Sequence, residues 1–513
     1  MGETEIALAH GELSARQLAD GAYGPALESI TTALRLAPSI APLWAQFSDL
    51  IRYFNFRHPA QPVRELLARA LEHPAVDPGN LVRPITSIAL SHPQGPLAEP
   101  LLLRMLEDVV IRDAALERVI TDARRRMLDE PLPLPVMAAI AHQCFNTEYV
   151  FDESAEERSK VERIGEAASP SLHSYAAYAA YRSLGTLKNA KLEGTLLAAL
   201  ARRQILEPLE EQRLAAAIDP ISTEKSNISA AVRAQYEANP YPRWVRMQSS
   251  FAAAPLSQVV HELFPHANIQ STQKPRILVA GCGTGQNAIA TAQRFAGASV
   301  LAIDLSLASL GYAKRKTLEL GLASIEYRQA DILALAGLEE RFDLIECSGV
   351  LHHLEDPCEG WRILAGLRKR GGLMRVGLYS ETGRRSVVRA RELIAARGFG
   401  PDADGIRACR AAIREDPSLA HLARNEDFFS MSGCRDLMFH VHEHRFTLPQ
   451  VESTIARLGL RFLGFEFPDS GETRQRYRAL FPGDSDFVQL QNWHRLEQEF
   501  PDTFARMYQF WVM

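Results

Sequence analysis

The stretch "RILVAGCGTGQ", Arg276 to Gln286, decides how the second half of this 513-residue chain is read. An apolar run of strand length ends in glycines at alternate positions, Gly281, Gly283 and Gly285. Such a turn lets backbone approach a ligand closely and opens the helix that follows. A nicotinamide dinucleotide site prefers glycine at the sixth position of the turn, where this chain has Gln286, so the turn departs from that fingerprint. Further along, the apolar runs "SVLAID", "IEYRQ", "FDLIEC" and "GLMRVGLY" alternate with helical segments. The alternation predicts an α/β domain with a Rossmann-like, mostly parallel sheet, crossover helices on both faces and ligands at the carboxyl ends of the strands. Asp304 ends the second run and Asp331 follows the third. A carboxylate at the first place can accept both hydroxyls of a ribose, and one at the second is placed to meet an adenine amino group. Each aspartate alone would more often cap a turn, but three features in register at successive strand ends are hard to obtain by chance.

In order, "LVAGCGTG", "AIDLS", "QADIL" and "FDLIECSGVLHHLEDP" match a glycine loop, a ribose acid, an adenine acid and a segment after the fourth strand. Over about residues 230–467 the chain thereby resembles the class I S-adenosylmethionine-dependent methyltransferases. The resemblance implies S-adenosyl-L-methionine as cofactor, bound at Gly281, Gly283, Gly285, Asp304 and Asp331. Many relatives carry an acid two residues before the first glycine to hold the cofactor's amino group, and here that position is Val279. The methionine end is therefore expected to rest on backbone, on Arg243 or on a residue near Gln286. In related enzymes the segment before the first strand folds over the cofactor, which makes Tyr236, Tyr241 and Arg243 of "YEANPYPRW" candidates for its sulfonium and carboxylate ends. An aromatic face suits a sulfonium for the reason it suits an ammonium. The competing reading has Tyr241 and Trp244 plugging a junction between domains. "NPYP" is not read as the "NPPY" loop of amino and amide methyltransferases, because that loop follows the fourth strand, a place filled here by "CSGVLHHLEDP". A helix should instead stop at Asn239, before Pro240, and Pro240 with Pro242 should stiffen an extended strap.

Methyl transfer requires a positioned nucleophile, a dry site and sometimes a base. His352 and His353, just past the fourth strand, are the candidates for that base, with Glu346 a weaker one; a satisfied structural role is the alternative for both histidines. A helical insertion over about 381–435 is expected to form a lid that shapes the acceptor pocket. Arg384, Arg385, Arg389, Arg391 and Arg397 make its first helix basic, which reads as a solvated face or as a surface for an anionic acceptor or nucleic acid. His440, His442 and His444 alternate in "FHVHEHRF" and would share one face of a strand. Without a neighbouring carboxylate or cysteine cluster in the sequence, they are not expected to hold a metal. The tail "WHRLEQEFPDTFARMYQFWVM" has helical spacing and should pack back on the body or on a second subunit, and no seventh strand is evident.

The first part of the chain reads as helices separated by Pro and Gly. Leu13, Ala26, Ile30, Ala33, Pro38 and Trp44 resemble the packing positions of about one good and one poor tetratricopeptide (TPR) repeat. With the strap and the long tail, this front resembles that of bacterial TPR-fused methyltransferases. The expected organisation is an all-helical domain over 1–225, a helix and strap over 226–273, the methyltransferase domain over 274–467 and a helical extension over 468–513. A formal charge of −5 argues against a broad nucleic-acid surface, and six scattered cysteines argue against a disulfide framework or zinc ribbon. The chain shows no signal peptide and no membrane-spanning run, so a cytoplasmic protein is expected. The functional expectation is a methyltransferase acting on a protein or peptide, with a protein partner possible on the helical domain. A small-molecule or lipid methyltransferase and a non-catalytic TPR adaptor are the alternatives.

Overall fold

The computed structural model describes residues 2–188, 190, 192–221, 226–249, 253–467 and 470–513. The expected boundaries near 225 and 468 fall outside the described residues.

Seven strands form one sheet in the order β3-β2-β1-β4-β5-β7-β6. They are β1 (Arg276–Ala280), β2 (Ser299–Asp304), β3 (Ile325–Gln329), β4 (Phe342–Ser348), β5 (Arg368–Leu378), β6 (Phe462–Phe465) and β7 (Tyr508–Val512). The pairings from β3 through β5 are parallel, and β7 runs antiparallel to both of its neighbours. Side chains alternate between two cores. Leu278, Ile303, Ile345 and Val376 meet the helices Pro357–Gly366 and Leu490–Glu499 on one face. Ile277, Val300, Leu344 and Leu373 meet the helices Leu256–Leu263, Gln286–Arg294 and Leu307–Glu319 on the other. Burial on both faces explains why these strands read as continuous apolar runs.

The tail departs from the expected helical extension. Its helix ends at Glu499, and Tyr508–Val512 forms β7, which supplies the seventh strand that the sequence did not reveal. Tyr508, Phe510 and Val512 face one core and Trp511 the other, so "YQFWV" has no polar face to mark a period of two.

In sequence, the insertion between β5 and β6 belongs to the sheet. Its helices Arg385–Arg397, Ala403–Glu415 and Met431–Met438 instead share one apolar core with the N-terminal helices, where Ile406, Cys409, Ile413 and Phe428 join Ile140, Cys144 and Phe151. Arg410, fully buried, donates to Glu117 Oε2 at 2.8 Å, to the Val150 carbonyl at 2.9 Å and to the Phe428 carbonyl at 2.9 Å. Arg414 reaches the other oxygen of Glu117 at 2.6 Å. What reads as a lid is thus one wall of the helical body. Of the repeat-like positions, Ala26, Ile30, Ala33 and Trp44 are buried, whereas Leu13 is 45% exposed and Pro38 is exposed, contrary to a packing role.

Candidate active site

The site lies where the sheet's carboxyl edge meets the helical body, around a cavity of about 970 Å³. Gly281 (φ +74°), Gly283 (φ +52°) and Gly285 (φ +85°) turn the chain out of β1 through left-handed conformations that side chains resist. A Cβ on Gly283 would strike the carbonyl oxygen of Tyr241, so the glycine is what lets the strap lie on the loop. The Gly283 amide donates to Asp304 Oδ2 at 2.8 Å and the Ser306 amide to Oδ1 at 2.9 Å. Burial pushes the Asp304 carboxyl up, and these two amides pull it back. Asp331 is fully buried and caps the turn Ile332–Gly337 through the Leu333 amide at 2.9 Å. Gly281, Gly283, Asp304 and Asp331 all line the cavity. Gly285 does not: it packs against Ala313 and N-caps the helix Gln286–Arg294, so its place is structural.

The strap follows the helix Asn227–Ala238, whose C-cap is Asn239. Thr284 holds it from both sides, donating its amide to the Tyr241 carbonyl at 3.2 Å and its hydroxyl to the Pro242 carbonyl at 2.6 Å, and accepting at that hydroxyl from the Trp244 indole at 3.1 Å. Tyr236 and Tyr241 line the cavity, the latter donating its hydroxyl to Asp427 Oδ1 at 2.9 Å. Arg243 points the other way. It is buried against the rings of Phe145 and Tyr312, with its Nε 3.4 Å from the Asn146 carbonyl, so it serves the contact with the helical body and not the cofactor. Trp244 fills a small core with Ile289 and Tyr312, both on helices that cover the sheet, so it does not plug a junction between domains. Tyr241 lines the cavity instead.

His352 is also displaced from its expected place. Its ring stacks on Tyr379 at 3.8 Å and its Nδ1 faces the Tyr379 amide at 3.3 Å, away from the cavity wall. His353 does line the cavity. Its Nδ1 sits 2.8 Å from the His442 carbonyl, an acceptor only, so Nδ1 carries the proton and the buried, partnerless Nε2 carries the lone pair. Burial holds both histidines well below the usual imidazole range, so they are neutral at pH 7. The segment carrying His440, His442 and His444 is not a strand, and its rings diverge. His442 and His444 meet each other at 3.0 Å, while His440 turns inward to Tyr236 and His353.

Nitrogens of His353 and His440 and a carboxylate oxygen of Asp436 lie within 4.8 Å of one another. The set does not suit an ion. The two imidazoles stack at 3.6 Å and 18°, which puts their lone pairs in nearly parallel planes that cannot converge on one centre. His440 Nδ1 accepts from the His442 amide at 3.1 Å, which leaves the proton on Nε2, facing the Tyr236 hydroxyl. Tyr236 in turn donates to Asp436 Oδ1 at 2.6 Å.

Glu346 is the register partner of Val279 on the next strand, so a buried acid stands one strand over from the missing one. It accepts from Thr291 at 2.5 Å and Asn287 at 2.9 Å and is structural as placed. Beside it, Gln286, Asn287, Ser348 and Arg375 line the cavity. The residues therefore fit S-adenosylmethionine: Asp304 and Asp331 among the apolar Leu305, Ala330 and Ile332 suit a nucleoside, and the amide, hydroxyl and guanidinium groups at the other end suit an amino-acid zwitterion. Sequence reasoning missed Arg375, Asp427 and Asp436. Arg375 left a trace as the one charge inside "GLMRVGLY"; the two aspartates, in a helical stretch, left none. In the basic helix, Arg385, Arg389 and Arg397 are exposed, while Arg384 is buried on Glu443 and over the Tyr379 ring, so the face is only partly solvated.

Residues 277–372 match the family model described as "Methyltransferase domain". An uncharacterized protein of Synechococcus sp. is 29% identical over 293 residues, covering 52% of this chain and 67% of its own length. The ubiquinone biosynthesis O-methyltransferase of Stutzerimonas stutzeri is 36% identical over 152 residues, which are 29% of this chain and 62% of that protein. Against such curated relatives the chain spans about two thirds of their length or slightly less. The structure of PKMT2 from Rickettsia typhi superposes with a TM-score of 0.38 at 16% identity, covering 51% of this chain and 54% of that one. Among the described residues, no helix is long and apolar enough to cross a membrane.

Proposed function

We propose, from the methyltransferase domain matched over residues 277–372, that the protein is a class I S-adenosylmethionine-dependent methyltransferase that transfers the cofactor's methyl group to an acceptor held beneath its helical body. One observation carries the reading. A single cavity runs from the glycine loop, Asp304 and Asp331 to Tyr236, Tyr241 and His353, so nucleoside and acceptor ends share one continuous space. When bound, the cofactor supplies an electrophilic methyl on a sulfonium. The chain's own residues do the rest. Asp304 and Asp331 hold the nucleoside end, while the strap, pinned to Thr284, closes the site. Tyr236 and Tyr241 present aromatic faces at the acceptor end and keep water out. His353 offers a neutral lone pair to an acceptor proton, and the Tyr236–Asp436 pair stands behind it as the stronger base.

The acceptor we favour is a side chain of a protein or peptide, because the acceptor end is walled by the helical body: Arg384, Val387, Leu422, Asn425 and Leu437 all belong to the insertion. The named O-methyltransferase relatives support a small-molecule acceptor as the second reading. Incubating the purified protein and methyl-labelled cofactor with cell extract separates the two. Label in the acid-precipitable protein supports the first reading, label confined to soluble small molecules supports the second, and no transfer at all overturns the enzymatic reading.

A further inference from the structure

The acceptor end of the cavity contains two carboxylates that, among the described residues, have no ion-pair partner. Asp436 is 3% exposed, accepts from Tyr236 at 2.6 Å and lies 3.5 Å from the Tyr379 hydroxyl. Asp427 accepts from Tyr241 at 2.9 Å. Among the described residues neither is ion-paired, and the cations around them already have partners: Arg384 and Arg391 bind Glu443, and Arg112 binds Glu426. A tyrosine hydroxyl satisfies a lone pair but brings no charge, and Arg384 and Arg112 act on the pair only from a distance, so the buried Asp436 and the half-buried Asp427 lack a directly bonded cation. A third acceptor faces the same space. His353, 4% exposed, has no partner for Nε2, and its ring lies within 4.8 Å of Asp436.

Asp427, Asp436 and His353 Nε2 are thus acceptors set among the rings of Tyr236, Tyr241 and Tyr379, while Arg384, the cation lining this end, is taken up by Glu443 and the Leu437 carbonyl. A hydroxyl would bring one donor and no charge, and a carboxylate would meet repulsion. An alkylammonium brings three N–H donors, a positive charge and an attraction to aromatic faces. We propose that the chamber formed by Asp427, Asp436 and His353 binds the methyl acceptor as a primary amine, which enters as an ammonium ion. The proposal rests on the methyl-transfer reading above. The ammonium gives one proton to Asp436, which frees the nitrogen's lone pair. That lone pair forms the new C–N bond as the methyl–sulfur bond breaks, with its electron pair staying on the sulfur. The product leaves as a secondary ammonium, and the proton on Asp436 passes to solvent when the chamber opens.

The test uses the full chain loaded with S-adenosylhomocysteine and compares binding of 1-aminopentane, 1-pentanol and pentanoate by calorimetry at pH 7.5. The amine should bind at least tenfold more tightly than the alcohol, pentanoate should be weakest, and Asp427→Asn and Asp436→Asn should each lower amine affinity at least tenfold while S-adenosylhomocysteine still binds. Equal binding of amine and alcohol, no detectable amine binding, or folded Asn variants that bind the amine like wild type overturns the proposal. The wild-type amine-to-alcohol ratio decides the matter even if a variant fails to fold. Failure of S-adenosylhomocysteine to bind strikes instead at the methyl-transfer reading, and the same ratio on unloaded protein still tests the chamber.

Discussion

The nucleoside end and the acceptor end of the cavity are built on different principles. At the nucleoside end, each functional group sits at a strand terminus within a few residues of the backbone turn that aims it: Gly283 and Asp304 are joined by a 2.8 Å bond across adjacent strands. At the acceptor end, groups far apart in sequence converge, as Tyr236 and Asp436 do across 200 residues. The first arrangement depends on local geometry and the second on long-range packing. Damage to the helical body should therefore reach the acceptor end, while the nucleoside end should fail only through its own residues.

The largest effect is expected from Arg410→Met, which takes a fully buried guanidinium from Glu117 and two carbonyls. Breaking such a pair should cost about 3 kcal/mol, the low end of the range because Arg414 stays on Glu117. Chemical denaturation measures the loss. Cofactor affinity in the still-folded protein should change little; a large loss of it would erase the contrast between the two ends. Next comes Asp304→Ala, which removes the acceptor for the ribose hydroxyls. At about 1.5–3 kcal/mol for a bond to a charged group, calorimetry should show S-adenosylhomocysteine binding weakened ten- to a hundredfold, with binding of an acceptor mimic left nearly intact.

Asp436→Asn sharpens the comparison through pH. Burial lifts the Asp436 carboxyl to about 7, and Asp427 and Glu443 add to the rise against Arg384 and the Tyr236 hydroxyl. Tyr379, His353 and His440 also face the group, and burial keeps both histidines neutral near pH 7. A carboxyl whose folded pKa lies above its unfolded value withdraws stability as pH rises from about 4 to 7. The Asn variant should therefore gain on wild type across that window, by roughly 1–3 kcal/mol above pH 7, and show no gain near pH 3. Paired melting curves against pH check the sign. The smallest effect is expected from Asn239→Ala. Asn239 caps its helix and accepts from Arg435 at 2.6 Å, but it is no part of the cavity wall, so stability should fall by under about 1 kcal/mol with cofactor affinity and turnover unchanged. Loss of turnover at intact cofactor affinity would return the strap to a catalytic role.

The roles of residues along the strap show where legibility ends. Asn239 was readable as a helix stop because the following proline acts on its neighbour's backbone. Tyr241 and Arg243 looked alike as candidates, yet one faces the cavity and the other the helical body. Their directions depend on what Gly283 and Phe145 bring to either side, and that is not local information. β7 was missed for a related reason. An apolar run buried on both faces carries no period, and only its pairing with β5 and β6 makes it a strand.

By itself the sequence determined the parallel part of the sheet, β1 to β5, its glycine turn, and the acids at the ends of β2 and β3, because strand alternation, left-handed glycines and strand-end carboxylates follow from short-range backbone chemistry. Tertiary structure decided that the insertion belongs to the helical body, that Arg243 and His352 face away from the cavity, and that Asp427 and Asp436 meet there with no ion-pair partner among the described residues. Those outcomes depend on apolar burial and charge pairing between segments hundreds of residues apart. Such interactions are non-directional along the chain, so no short window of residues encodes them.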